Sequence, residues 1–87
     1  MEPDIKKRIG EDFGRDAAKA IQLMEVFEAE SKFGPRVSRC VVVLANGDVD
    51  KLKEFIGHAE EDWRDVIIWG EKVPLEFNRP FEDKTVG

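Results

Sequence analysis

The chain has 87 residues, 41% of them hydrophobic and 38% charged, with a formal net charge of −5. That is the length of one domain, too rich in large apolar residues for a disordered segment and too acidic for a module that displaces counterions from nucleic-acid phosphate. The longest apolar run, Cys40 to Ala45, falls far short of the ~20 residues of a membrane span, and no basic start leading into an apolar stretch marks a secretory signal.

Residues 1–11 are mostly charged, with Ile5 and Ile9 four apart and Pro3 placed to open a short helical turn. They read as an N-terminal arm. The densest basic cluster, Lys6-Lys7-Arg8, is flanked by Glu2, Asp4, Glu11 and Asp12, which makes it a solvated helix end rather than a phosphate site. From Asp12 to about Lys32 the pattern is helical. Asp12 is a suitable N-cap, and Phe13, Ala17, Ala20, Ile21, Met24 and Phe27 recur at three- and four-residue steps, so they share one face. Gly34-Pro35 is expected to stop this helix.

Arg36 to Ala45 supports two readings. Three consecutive valines favour a strand, and since Arg39 shares a side with Val41 and Val43 the pattern suits one buried on both faces better than a half-buried one. Against that, Val37, Cys40, Val41 and Leu44 stand at i, i+3, i+4 and i+7, the full helical template. Helix is the preferred reading, with Asn46-Gly47 as its stop. Asp48 is the next N-cap. Beyond it, Val49, Leu52, Phe55, Ile56, Ala59, Trp63, Val66, Ile67 and Gly70 fall within about 60° of one direction at 100° per residue. One helix over 48–71 is the simplest interpretation, with Trp63 at the centre of its buried face. A break near Asp62, with Asp62 and Asp65 as caps for a new start, is the alternative. In the last segment, prolines extend Val73-Pro74-Leu75-Glu76-Phe77 and Arg79-Pro80-Phe81. Its apolar residues suggest a tail lying across the helices and covering Ile68 and Trp69, unless another chain does.

The predicted fold is therefore all-α: a single domain over 1–87, built as a small bundle of two or three antiparallel helices with an extended C-terminal tail at 73–87. The runner-up is an α/β chain whose βαβ unit places strands at 39–45 and 65–70.

Little in the chain carries chemistry. His58 has Glu54 four residues before it and Glu61 and Asp62 three and four after, a face that could hold a divalent metal. The preferred reading is a solvated acidic surface whose neighbours favour the charged form of His58. The spacing is not the Glu-x-x-His of di-iron bundles, and no second such motif exists. The single Cys40 cannot form an internal disulfide, which suits a cytoplasmic protein. Its spacing is that of a core thiol rather than a nucleophile. Ser31 and Ser38 sit in no nucleophile elbow, and no glycine-rich phosphate loop is present. No cofactor is implied.

What rises above this background is a set of apolar residues off the main helical faces. Leu23 and Val26 lie off the face of the first long helix. Ile68 lies opposite the face of its own helix, and Trp69 about 100° from it. Tryptophan is enriched in interface anchors. These four residues point to a non-catalytic protein-interaction or regulatory domain, with a protein partner or a second copy of the chain, and no nucleic acid or membrane. The alternative is a small metal-binding protein or enzyme using Glu54, His58, Asp62 and Cys40.

The stretch from Arg39 through Asn46-Gly47-Asp48, then Leu52, Phe55-Ile56 and Asp62-Trp63-Arg64-Asp65-Val66-Ile67-Ile68-Trp69-Gly70-Glu71, resembles a group of small uncharacterised bacterial proteins sharing a GD…L…A…DWRDVI…E pattern. The resemblance implies a small helical bacterial domain. It brings no activity, cofactor or partner with it.

Overall fold

The structure, a computed structural model, describes residues 1–79. The chain is all-α, with no strand among the described residues: helix α1 (Pro3–Phe13), a 3-10 turn (Gly14–Asp16), α2 (Ala17–Ser31), α3 (Pro35–Ala45) and α4 (Val49–Glu71). The βαβ alternative is not favoured: 39–45 and 65–70 are both helical.

The three helices expected from the sequence are α2, α3 and α4, and the segment read as an arm adds another. Pro3 stands in the first turn of α1, where a missing N–H costs nothing, and the carbonyl of Glu2 accepts from the N–H groups of Ile5 and Lys6 at 3.1 Å each. Ile5, Ile9 and Phe13, four residues apart, are buried in the core. The helix ends where Gly14 leaves helical geometry (φ 54). Asp12 is thus not the cap of α2. It lies in the last turn of α1, where its carboxylate accepts from Arg8 Nε at 2.9 Å. Phe13 likewise belongs to the stripe of α1.

The end of α2 also differs from expectation. Lys32 adopts the left-handed cap (φ 60), its N–H donating to the Glu28 carbonyl. Gly34 and Pro35 begin α3 instead, as N-cap and first-turn residues. This central helix is buried almost all round: Val37, Ser38 and every residue from Cys40 to Ala45. Ser38 satisfies its hydroxyl by donating to Glu28 Oε2 at 2.7 Å. Asn46 closes α3 in the left-handed region (φ 51). Gly47 follows at φ 78 against the C-terminus of α1, where a Cβ would collide with the Asp12 carbonyl oxygen.

Helix α4 opens as predicted. Asp48 Oδ1 accepts from the N–H groups of Asp50 and Lys51 at 2.8 and 3.2 Å. It is not one uninterrupted helix, however. Asp62 is extended (φ −154, ψ 95), and the chain turns a corner there. Asp62 Oδ1 accepts from the backbone N–H of Arg64 at 3.1 Å, so the residue caps the second segment. The ring centroids of Phe55 and Trp69 are 6.4 Å apart. In a straight helix those fourteen residues would separate them by about 21 Å, so the two segments fold back on each other. Leu52 and Ala59 on the first segment, and Val66 and Gly70 on the second, are buried. Trp63 is not at the centre of the core. It stands at the corner, 42% exposed, with its ring 6.3 Å from Phe33.

Residues 73–79 carry a turn rather than a fully extended strap, with Phe77 N–H donating to the Pro74 carbonyl at 3.0 Å. Polar contacts hold it. Asn78 Nδ2 donates to the Val43 carbonyl at 3.0 Å, Asn46 Nδ2 donates to the Phe77 carbonyl, and Arg8, only 3% exposed, donates to Asn78 Oδ1 at 3.2 Å and to the Arg79 carbonyl. Leu75 and Phe77 are exposed. The predicted packing of Pro80 and Phe81 lies outside the described residues.

Candidate functional site

One charged clamp and one close approach tie the second segment of α4 to α3, and a second clamp ties α3 to α1. Arg36, in the first turn of α3, donates from Nε and Nη2 to the Glu71 carboxylate at 2.6 and 2.8 Å. This bidentate pair holds the Glu71 carboxyl below its ordinary range and raises Arg36. One turn inward, α4 presses on α3 so closely that a Cβ on Gly70 would sit 2.5 Å from Cys40 Cβ. At the start of α3's outer face, Arg39 makes a second bidentate contact with Asp4 of α1, at 2.8 and 3.2 Å.

A segment held this firmly has a fixed outer face. Ile68 is 51% exposed and Trp69 43%, so the described part of the tail, residues 73–79, does not bury either. The Trp69 ring packs edge-on against His58 (5.6 Å, 88°) and against Phe55 (6.4 Å, 70°) of the first segment. The fold-back at the α4 corner thus gathers the rings of Phe55, His58 and Trp69, with the exposed Ile68 next to Trp69 in the chain. The other two residues of the expected set stand on α2. Leu23 is partly buried against the core, so its off-face position is met by packing. Val26 is 51% exposed, about 160° round its helix from Met24. The set divides into a coherent pair on α4, Ile68 and Trp69, and two separate residues on α2. Sequence reasoning missed Phe55 and His58 as their neighbours, because only the fold-back at Asp62 brings them together.

The candidate ligands of the acidic His-containing face are spread among other contacts. His58 Nε2 lies 3.9 Å from Glu54 Oε2. Asp62 is engaged by Arg64, whose hydrogen bonds hold its carboxyl below the ordinary range. Among the described residues, no three of His, Cys, Asp and Glu converge on one point. Cys40 is buried beneath the second segment of α4. Burial pushes its thiol up to about 11, Glu71 adds to the rise and Arg36 opposes it, leaving the thiol protonated and unsuited to nucleophilic attack at neutral pH. A shallow depression lies between the 3-10 turn and the start of α4, lined by Asp16, Lys19, Asn46 to Asp50 and Lys53. It is wide open, and Asp48 within it is spent on capping. Among the described residues, no helix is long and apolar enough to cross a membrane.

Set beside protein-family models, curated proteins and solved structures, the chain matches none of them at a significant level.

Proposed function

We propose that this chain is a non-catalytic protein-interaction domain, regulatory in role and working in the cytoplasm, which binds through the outer face of the α4 corner. The observation that carries this reading is the half-exposed pair Ile68–Trp69, displayed on a segment fixed by Gly70, Arg36 and Glu71. Exposed apolar residues scattered singly need no explanation, but adjacent large ones on a rigid element, one of them tryptophan, have the composition of an interface anchor. The acidic balance and the protonated Cys40 thiol weigh in the same direction, since neither favours phosphate binding or covalent catalysis.

A photo-crosslinking amino acid placed at Ile68, with a control at the exposed Lys19 on α2, tests this. Ultraviolet irradiation in the native host should give discrete protein adducts from position 68 and none from position 19. Equal labelling at both positions, or none at either, would remove the α4 corner as a binding surface.

A further inference from the structure

The outer face of the second α4 segment is self-complementary in chemical character. Asp65, Ile68, Trp69 and Lys72 stand at i, i+3, i+4 and i+7, and all four are exposed. At 100° per residue they form one stripe about 10 Å long, reading acid, apolar, apolar, base. Its midpoint falls between Ile68 and Trp69. The Asp65 carboxylate and the Lys72 ammonium make no ion pair within the described residues. Lys72 closes the helix and Asp65 stands near its start, so both ends also suit the helix dipole.

We infer that this stripe docks on the same stripe of a second copy of the chain, the two segments running antiparallel about a two-fold axis between Ile68 and Trp69. Such an interface is isologous, so each contact occurs twice. Ile68 and Trp69 of one copy cover their counterparts, and Asp65 of each copy meets Lys72 of the other. Charge complementarity selects this occupant. A parallel arrangement would place Asp65 on Asp65 and Lys72 on Lys72, whereas the antiparallel one satisfies all four charges. Trp69 is already seated on Phe55 and His58, so it meets the partner with little ordering cost. The inference rests on the interaction reading above and names its partner. The stripe is smaller than a standard interface, and the chain's net charge of −5 opposes association, so the dimer is a weak one.

Sedimentation equilibrium of the full chain from about 10 µM to about 1 mM tests it. The wild type should fit a monomer–dimer equilibrium. Asp65→Lys and Lys72→Glu should each weaken dimerisation about tenfold, because every lost attraction and added repulsion counts twice. Mixing the two variants, or combining them in one chain, should restore it. Ile68→Ser, on a half-exposed position, should abolish it with the circular dichroism spectrum unchanged. A wild type monomeric across the range overturns the inference, as does a double charge reversal that fails to restore association. If that monomer still yields position-68 adducts with a different protein in the host, only the self-association falls. If it yields none, the interaction reading falls with it.

Discussion

Helix α3 and the second segment of α4 make an instructive pair. Both are short, both carry runs of large apolar residues, and they pack against each other through Cys40 and Gly70. In α3 the valines at 41, 42 and 43 are all buried, since other helices enclose it on nearly every side. In α4 the equivalent run, Val66-Ile67-Ile68-Trp69, goes from buried to exposed within four residues, since no other described helix covers its outer side. Hydrophobicity alone does not separate a core helix from one at the surface. What separates them is how much of the circumference the fold leaves open, and the difference is set by the chain returning on itself at Asp62.

The sharpest way to break the comparison is to place the same charge on both helices. Val41→Asp puts a carboxylate where no water reaches and no partner stands. It should destabilise the fold by more than ~4 kcal/mol, a large share of what a domain of this size has. Ile68→Asp should leave stability within about 0.5 kcal/mol, since its position is half solvated. Urea unfolding followed by circular dichroism reads both. Equal losses would mean that position 68 is covered within the monomer.

The close seat between the two helices gives the next effect. Gly70→Val adds side-chain atoms where a Cβ would already lie 2.5 Å from Cys40 Cβ and 2.8 Å from Sγ. The helices must part, at a cost of about 1–3 kcal/mol. Thiol labelling supplies a second reading. The wild-type thiol, pushed up to about 11, should react with a maleimide far more slowly than a free cysteine at pH 7.5, and the Gly70→Val variant should react faster as α4 lifts. Rapid labelling of the native wild type would show that α4 does not seal Cys40.

These contrasts mark where the sequence was readable. The helical spacing of Val37, Cys40, Val41 and Leu44 identified α3 despite its valines, and Asp48 announced the start of α4, because both signals act within one or two turns. The first helix was less legible. Its burial of Arg8 depends on Asn78 and Arg79, seventy and seventy-one residues away, and no local pattern reports such a partner. The corner at Asp62 was ambiguous for a geometric reason. Leu52 and Val66 are fourteen residues apart, close to four helical turns, so a straight helix and a folded one bury the same stripe. Trp63 went astray with it: as the first residue after an extended Asp62 it no longer shares the phase of Ala59. Of the candidate site, Ile68 and Trp69 were visible as off-face residues, whereas Phe55 and His58 joined them only through the fold-back.

The smallest effect concerns what pins the exposed segment in place. The Arg36–Glu71 pair ties the end of α4 to the start of α3, but both side chains are well exposed, so solvent screens it. Glu71 has a folded-state acidity stronger than the ordinary value of 4.5, held down chiefly by the hydrogen bonds from Arg36 against a small burial penalty. A depressed carboxyl stabilises the fold fully above its unfolded value and loses that contribution as the pH falls through the folded one. Glu71→Gln should therefore lower the urea midpoint slightly at pH 7, and the gap from wild type should shrink below pH 4.5, closing once Glu71 itself is protonated. Trp69 fluorescence should shift little in the variant, because Gly70 still seats the helix on Cys40. A gap that persists at pH 3 would assign the stabilisation to packing of the Glu71 side chain rather than to its charge, and would leave the seat at Gly70 as the feature that holds Ile68 and Trp69 outward.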